Sequence, residues 1–158
     1  MKTAQGEVQG EAGKTHKGQE YARFLGLPYA APPLGARRFA RPEPPPSWQG
    51  VRKADKTVAF VQMDDMFGDG KVKGTEDALT ANIYTPASAL AKNSAPLPVM
   101  FYLHGGAFCI GDSGPGLQGP AWLLDHGVVM VAVNYRLGAL GFLSTGDDVI
   151  PANLVGRE

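Results

Sequence analysis

Cysteine is almost absent from this chain. Cys109 is the single one in 158 residues, so no disulfide can close within it. Excess charge of either sign is absent too. The 15 basic and 15 acidic side chains cancel, which removes the electrostatic case for nucleic acid or an anionic membrane as partner. No apolar run approaches the ~20 residues of a membrane span. Residues 1–19 are polar and glycine-rich and hold no apolar core of a secretory signal. The expectation is a cytoplasmic protein, or a secreted one if a first exon is missing. Histidine, cysteine and carboxylates never gather at metal-ligand spacing, so no metal and no other cofactor is expected. There is no internal repeat and no low-complexity tract. Glycine and proline are plentiful instead, at 21 and 13. They are spread along the chain as turns.

Two short antiparallel strands are expected near the start, at residues 7–10 and 21–26, separated by glycine and polar turn residues. Residues 27–35 carry three prolines, which remove backbone donors and favour an extended loop. A second proline cluster, 42–46, leads to Trp48, expected to pack over that loop. Residues 60–76 read as a polar surface loop, residues 79–84 as a strand, and residues 87–98 as an insertion-tolerant loop. Then the pattern changes. Residues 99–103 and 128–133 are continuous apolar runs with no alternation. Such runs suit parallel strands covered on both faces. Residues 120–126 are the best helix candidate, with Pro120 near the start and Gly127 just past the end. Strand, loop, helix and strand would make one βαβ unit.

The chemistry-bearing stretch follows the first of those strands, at His104-Gly105-Gly106-Ala107-Phe108. Glycines let a backbone turn sharply and aim its N–H groups at a ligand. A bare Gly-Gly is more often a plain turn, so its context decides. That context is a series of blocks in order: Phe24-Leu25-Gly26-Leu27-Pro28-Tyr29-Ala30 with Pro32-Pro33, Arg38-Phe39 with Pro42 and Trp48, Glu76-Asp77-Ala78-Leu79 with Asn82-Ile83-Tyr84-Thr85-Pro86, residues 104–111, and Asn134-Tyr135-Arg136-Leu137-Gly138 with Gly141-Phe142-Leu143. Together they resemble the N-terminal part of type-B carboxylesterases, the group that includes cholinesterases and insect esterases.

The resemblance implies an α/β class, specifically the N-terminal part of an α/β-hydrolase fold, incomplete in this chain. Residues 1–158 would form a portion of one such domain. Residues 1–96 would be short strands and proline-rich loops, and 97–145 the strand, oxyanion loop, helix and strand. It implies a serine esterase acting on small-molecule carboxylic esters. The oxyanion donors would be the N–H groups of Gly106 and Ala107, with Gly105 shaping the loop and Phe108 on the substrate side. His104 would orient the loop, Arg38 and Glu76 would pair, and Arg136 would be a buried structural cation. Ala107 stands where the family usually has a third glycine. The family's first disulfide would fall near position 61 and at position 78, which are Val61 and Ala78 here. Agreement decays over residues 151–158.

No G-x-S-x-G nucleophile elbow occurs within the 158 residues. Residues 111–114, Gly-Asp-Ser-Gly, look like the nucleophile segment of trypsin-like proteases. Those enzymes need histidine and aspartate earlier in a disulfide-bonded double barrel, so Ser113 is read as a loop residue. Cys109 is expected to be a small buried hydrophobe. The chain alone is expected to supply the oxyanion loop and no esterase activity. The alternatives are a catalytically inactive, cholinesterase-like binding protein and a non-functional fragment.

Overall fold

The computed structural model describes residues 1–63, 70–116, 119–147 and 150. Its centre is a five-stranded mixed sheet. Five strands compose it: β2 (Glu11–Lys14), β3 (Glu20–Pro28), β7 (Thr80–Pro86), β8 (Val99–Leu103) and β9 (Val129–Val133). Their spatial order is β2-β3-β7-β9-β8. All neighbours are antiparallel except β8 and β9, which run parallel from Val99 opposite Val129 to Leu103 opposite Val133. Two small ribbons flank it. β1 (Glu7–Gln9) pairs with β4 (Val51–Lys53), and β5 (Gln62–Met63) with β6 (Val72–Lys73).

Side-chain alternation explains how the sheet is held. On β7, Tyr84 faces one side with Tyr21, Leu25, Leu124, Met130 and Ala132. Ile83 faces the other, against Val8, Phe24, Leu27 and Ala54. Successive strand residues point to opposite faces, so β7 feeds both layers and is the most enclosed strand. β3 keeps the alternation in phase by a shift of register between Phe24 and Leu27. Gly26 sits in that shift at φ +68°, and a Cβ there would lie 2.3 Å from the Lys56 carbonyl oxygen. Only glycine fits such a bulge.

Several sequence expectations are corrected. Residues 7–9 do not pair with residues 21–26. They pair in parallel with Val51–Lys53, while Glu11–Lys14 takes the antiparallel place beside β3. Trp48 does not cover the proline loop. Its Nε1–H donates to the Glu7 carbonyl at 2.8 Å, and it packs on the Val8 cluster. The stretch 60–76 is not all surface, because Phe60 and Gln62 are buried. Its residues 64–69 lie outside the described set, as do 151–158. Among the described residues β8 lies at the edge of the sheet, with Val99, Met100, Phe101 and Leu103 exposed.

Residues 120–126 are turns, with a single 3-10 turn at Leu124–His126 and Gly127 left-handed at φ 69°. One i to i−4 bond forms there, from Leu124 N–H to the Pro120 carbonyl, and the His126 and Gly127 amides bond i−3. The helix does not propagate beyond that turn, and Trp122 is turned out to stack on His16 at 3.6 Å. The one α-helix among the described residues is α1, Gly138–Phe142.

Candidate active site

The loop leaves β8 at Leu103 and turns back at once. Gly106 has φ 124°, and Ala107 and Phe108 follow at φ 51° and 60°. Two consecutive non-glycine residues in the left-handed region cost about 1–2 kcal/mol each, so something outside the loop holds them. The turn closes on the Gly106 carbonyl, which accepts the N–H groups of Cys109 and Ile110, both at 3.0 Å. The N–H groups of Gly106 and Ala107 themselves donate to no described protein atom. Ala107 is exposed and Gly106 half-buried. Two free donors side by side on an open turn can bind a single oxyanion.

Glycine is required at Gly106, where a Cβ would lie 2.0 Å from the Ile110 carbonyl oxygen. At Gly111 it would lie 2.4 Å from His104 Nδ1. Gly105 shows no such need, since a Cβ there would meet nothing within 4 Å.

His104 is buried beneath the turn. Its ring stacks on Tyr135 at 4.4 Å, with 14° between planes. Nδ1 lies 2.8 Å from the Gly105 carbonyl, an acceptor, so Nδ1 is the nitrogen that donates there, while Nε2 is buried and meets no hydrogen-bond partner. Tyr135 donates its phenol to the His104 carbonyl at 2.6 Å. Burial raises that phenol's pKa above 10, with Tyr102 adding in the same direction, so it remains a donor. Phe108 is 61% exposed and its ring leans on Phe142 at 5.0 Å. Cys109 is exposed as well, against the expectation of a buried hydrophobe. The left-handed turn swings it outward.

The far end of the loop is tied by three side-chain amides. Gln62 accepts the Gly111 N–H at 2.7 Å and donates Nε2 to the Gly111 carbonyl at 2.8 Å. Asn82 donates Nδ2 to the Ser113 carbonyl at 2.7 Å and to its Oγ at 2.9 Å. Asn134 accepts the Ser113 N–H at 2.8 Å and donates to the Val58 and Ala78 carbonyls at 2.7 and 3.2 Å. Ser113 is therefore enclosed, at 2% exposure. Tyr29 donates to the Asn134 carbonyl at 2.7 Å. Burial pushes its phenol up to about 12, and the Arg136 charge acts against that. Tyr29, Asn82, Asn134 and Tyr135 entered the sequence reading only as members of the quoted blocks, with no role of their own, and Gln62 did not enter it. The signal that could have found two of them is an asparagine inside an apolar run, since a buried amide must find partners.

Arg136 is 5% exposed and reaches the Ala40 carbonyl at 2.8 Å and that of Arg38 at 3.3 Å. Burial lowers its pKa, with Tyr29 acting the other way. Arg38 grips Glu76 with both arms, at 2.6 and 2.8 Å. Their side chains are 47% and 22% exposed, so water screens the pair. Arg38→Ala is expected to lower unfolding free energy by less than about 1 kcal/mol. The Arg136 bonds survive it, because they use backbone oxygens. Urea denaturation at low and high salt checks this; a loss above that bound would mean the pair carries more than its exposure allows.

Among the described residues no group of histidine, cysteine and carboxylates could hold a metal, and no helix is long and apolar enough to cross a membrane. A groove of about 920 Å³ lies elsewhere, lined by Met1, Val8, Tyr21, Phe24 and Leu90 among others, and touches none of residues 104–113.

The sequence profile of the carboxylesterase family matches residues 1–155. The chain is 40% identical over 152 residues to a juvenile hormone esterase of Tribolium castaneum, covering 96% of this chain and 25% of that protein. It is 41% identical over 151 residues to esterase FE4 of Myzus persicae, covering 94% and 26%. In fold it is similar to the crystal structure of juvenile hormone esterase from Manduca sexta with OTFP covalently attached. The TM-score is 0.86 at 34% identity, over 96% of this chain and 29% of that one. The chain thus spans about a quarter of the length of these relatives, and its fold is the N-terminal part of their α/β-hydrolase fold.

Proposed function

Because the chain belongs to the carboxylesterase family, we propose that residues 104–108 form the oxyanion-binding loop of a serine hydrolase acting on small-molecule carboxylic esters. The observation that carries this reading is the pair of unpartnered N–H groups at Gly106 and Ala107, held on a turn closed by the Gly106 carbonyl. When a nucleophile attacks an ester carbonyl, negative charge gathers on one oxygen. Donors already aimed at that point stabilise the transition state by roughly 3–4 kcal/mol each. Phe108 stands beside them with its ring exposed and would face the substrate.

The nucleophilic serine, its histidine and its acid are not among the residues discussed, and no G-x-S-x-G occurs in the 158. The chain by itself would bind an oxyanion and form no acyl-enzyme. Sequencing the transcript through the codons for residues 151–158, then assaying its product on an activated ester with a fluorophosphonate probe, tests the reading. A frame running into G-x-S-x-G with a labelled serine supports it. A stop after Glu158 with no labelling removes the hydrolase and leaves a binding protein or a non-functional fragment. An acyl-enzyme burst from the 158 residues alone would contradict the assignment of the loop as the sole contribution.

Ala107 narrows the space above the two donors by one methyl group. Ala107→Gly in the active product is expected to widen acceptance of branched acyl or alcohol groups. Folding stability should change little. Relief of left-handed strain of about 1–2 kcal/mol is offset by roughly half through the ~0.4–1 kcal/mol of added unfolded-chain freedom. Relative kcat/KM for linear and branched esters checks this, and an unchanged profile sinks it.

A further inference from the structure

The loop's two free donors lie between two clamped carbonyls, and both clamps come from one stretch of chain. Tyr135 donates to the His104 carbonyl at 2.6 Å. Gly138 N–H donates to the Phe108 carbonyl at 2.7 Å. Only residues 105–107 separate the clamped groups. The Tyr135 ring is also the hub of an aromatic cluster: it stacks on His104 and meets Phe108 and Phe142 edge-on, each at 6.4 Å. The strained turn at Ala107 and Phe108 is thus gripped from outside at both flanks.

We infer that Tyr135 is the positioning residue that sets the direction of the Gly106 and Ala107 N–H groups, acting through the His104 carbonyl. This rests on the ester-hydrolase reading of the loop. The phenol touches no reacting atom; it fixes the peptide plane from which the turn starts. A donor misplaced by a fraction of an ångström matters far more to a developing oxyanion than to a ground-state ester. The effect of losing the hydroxyl should therefore fall on kcat and spare KM.

Tyr135→Phe removes one oxygen and keeps the ring and its stacking. In the product of the complete transcript, kcat is expected to fall roughly 10- to 100-fold with KM within about threefold. Affinity for a trifluoromethyl ketone, whose adduct carries an oxyanion, should fall with kcat/KM. Amide hydrogen exchange read by mass spectrometry should speed up in the peptide covering 104–112 and stay unchanged in peptides from β7 and β9. If the enzyme is active and the variant matches it in kcat and in exchange, the inference is overturned; so it is if KM carries the loss. If the wild-type product turns over no ester, the hydrolase reading has failed. Exchange in 104–112 then decides alone whether Tyr135 sets the loop.

Discussion

Gly106→Ala should cost the active product at least ~100-fold in kcat, the scale of losing an oxyanion donor. The physical reason is crowding plus backbone conformation. At φ 124° an L-residue is strained, and its Cβ would sit 2.0 Å from the Ile110 carbonyl oxygen. The oxygen belongs to main chain and cannot swing aside as a flexible side chain would. The bonds from Cys109 and Ile110 to the Gly106 carbonyl must then break or lengthen, and both free N–H groups re-aim. Gly105→Ala is the comparison. Its Cβ would meet nothing within 4 Å, so its loss should be the smaller of the two. Turnover of an activated ester, with amide exchange at residues 109–110, reads both. Equal losses would place the glycine requirement in the unfolded chain or in substrate contact, not in the turn.

Asn134→Ala should be the most destabilising single substitution of those considered. It orphans the Ser113 N–H and the Val58 carbonyl together, and takes one of two donors from the Ala78 carbonyl, which keeps the Thr80 N–H at 2.8 Å, around a side chain with 0% exposure. At about 1–3 kcal/mol for each buried group left unpaired, the sum for the two is on the order of 2–6 kcal/mol. That is a large share of a total stability of about 5–15 kcal/mol. Chemical denaturation should show a much lower midpoint, or no folded baseline. A change below about 1 kcal/mol would mean the node relaxes to find other partners, and that the amide is not what joins these three segments.

What was legible in the sequence follows from what writes itself locally. The apolar runs at 99–103 and 128–133 announce strands, and β8 and β9 are parallel neighbours. The left-handed Gly127 stop was legible because glycine there is a local necessity. The pairing of Glu7–Gln9 with Val51–Lys53 was not legible, since a parallel pair more than forty residues apart leaves no mark in either segment. In the candidate site, the turn itself was readable from His-Gly-Gly. Its supports were not: Gln62, Asn82 and Asn134 are ordinary polar residues until the fold carries them to Gly111 and Ser113.

The ties on residues 104–113 have an order in time as well as in space. Gln62 and Asn82 precede the loop in the chain; Asn134, Tyr135 and Gly138 follow it. A ribosome releases the earlier ties first, then the loop, and only after some twenty further residues the last three. Until β9 and the turn beyond it have left the exit tunnel, the nascent loop has only its earlier ties. The full set of ties on the loop is therefore acquired late in the synthesis of this segment, and a pause in translation between residues 113 and 134 would prolong its half-tied state.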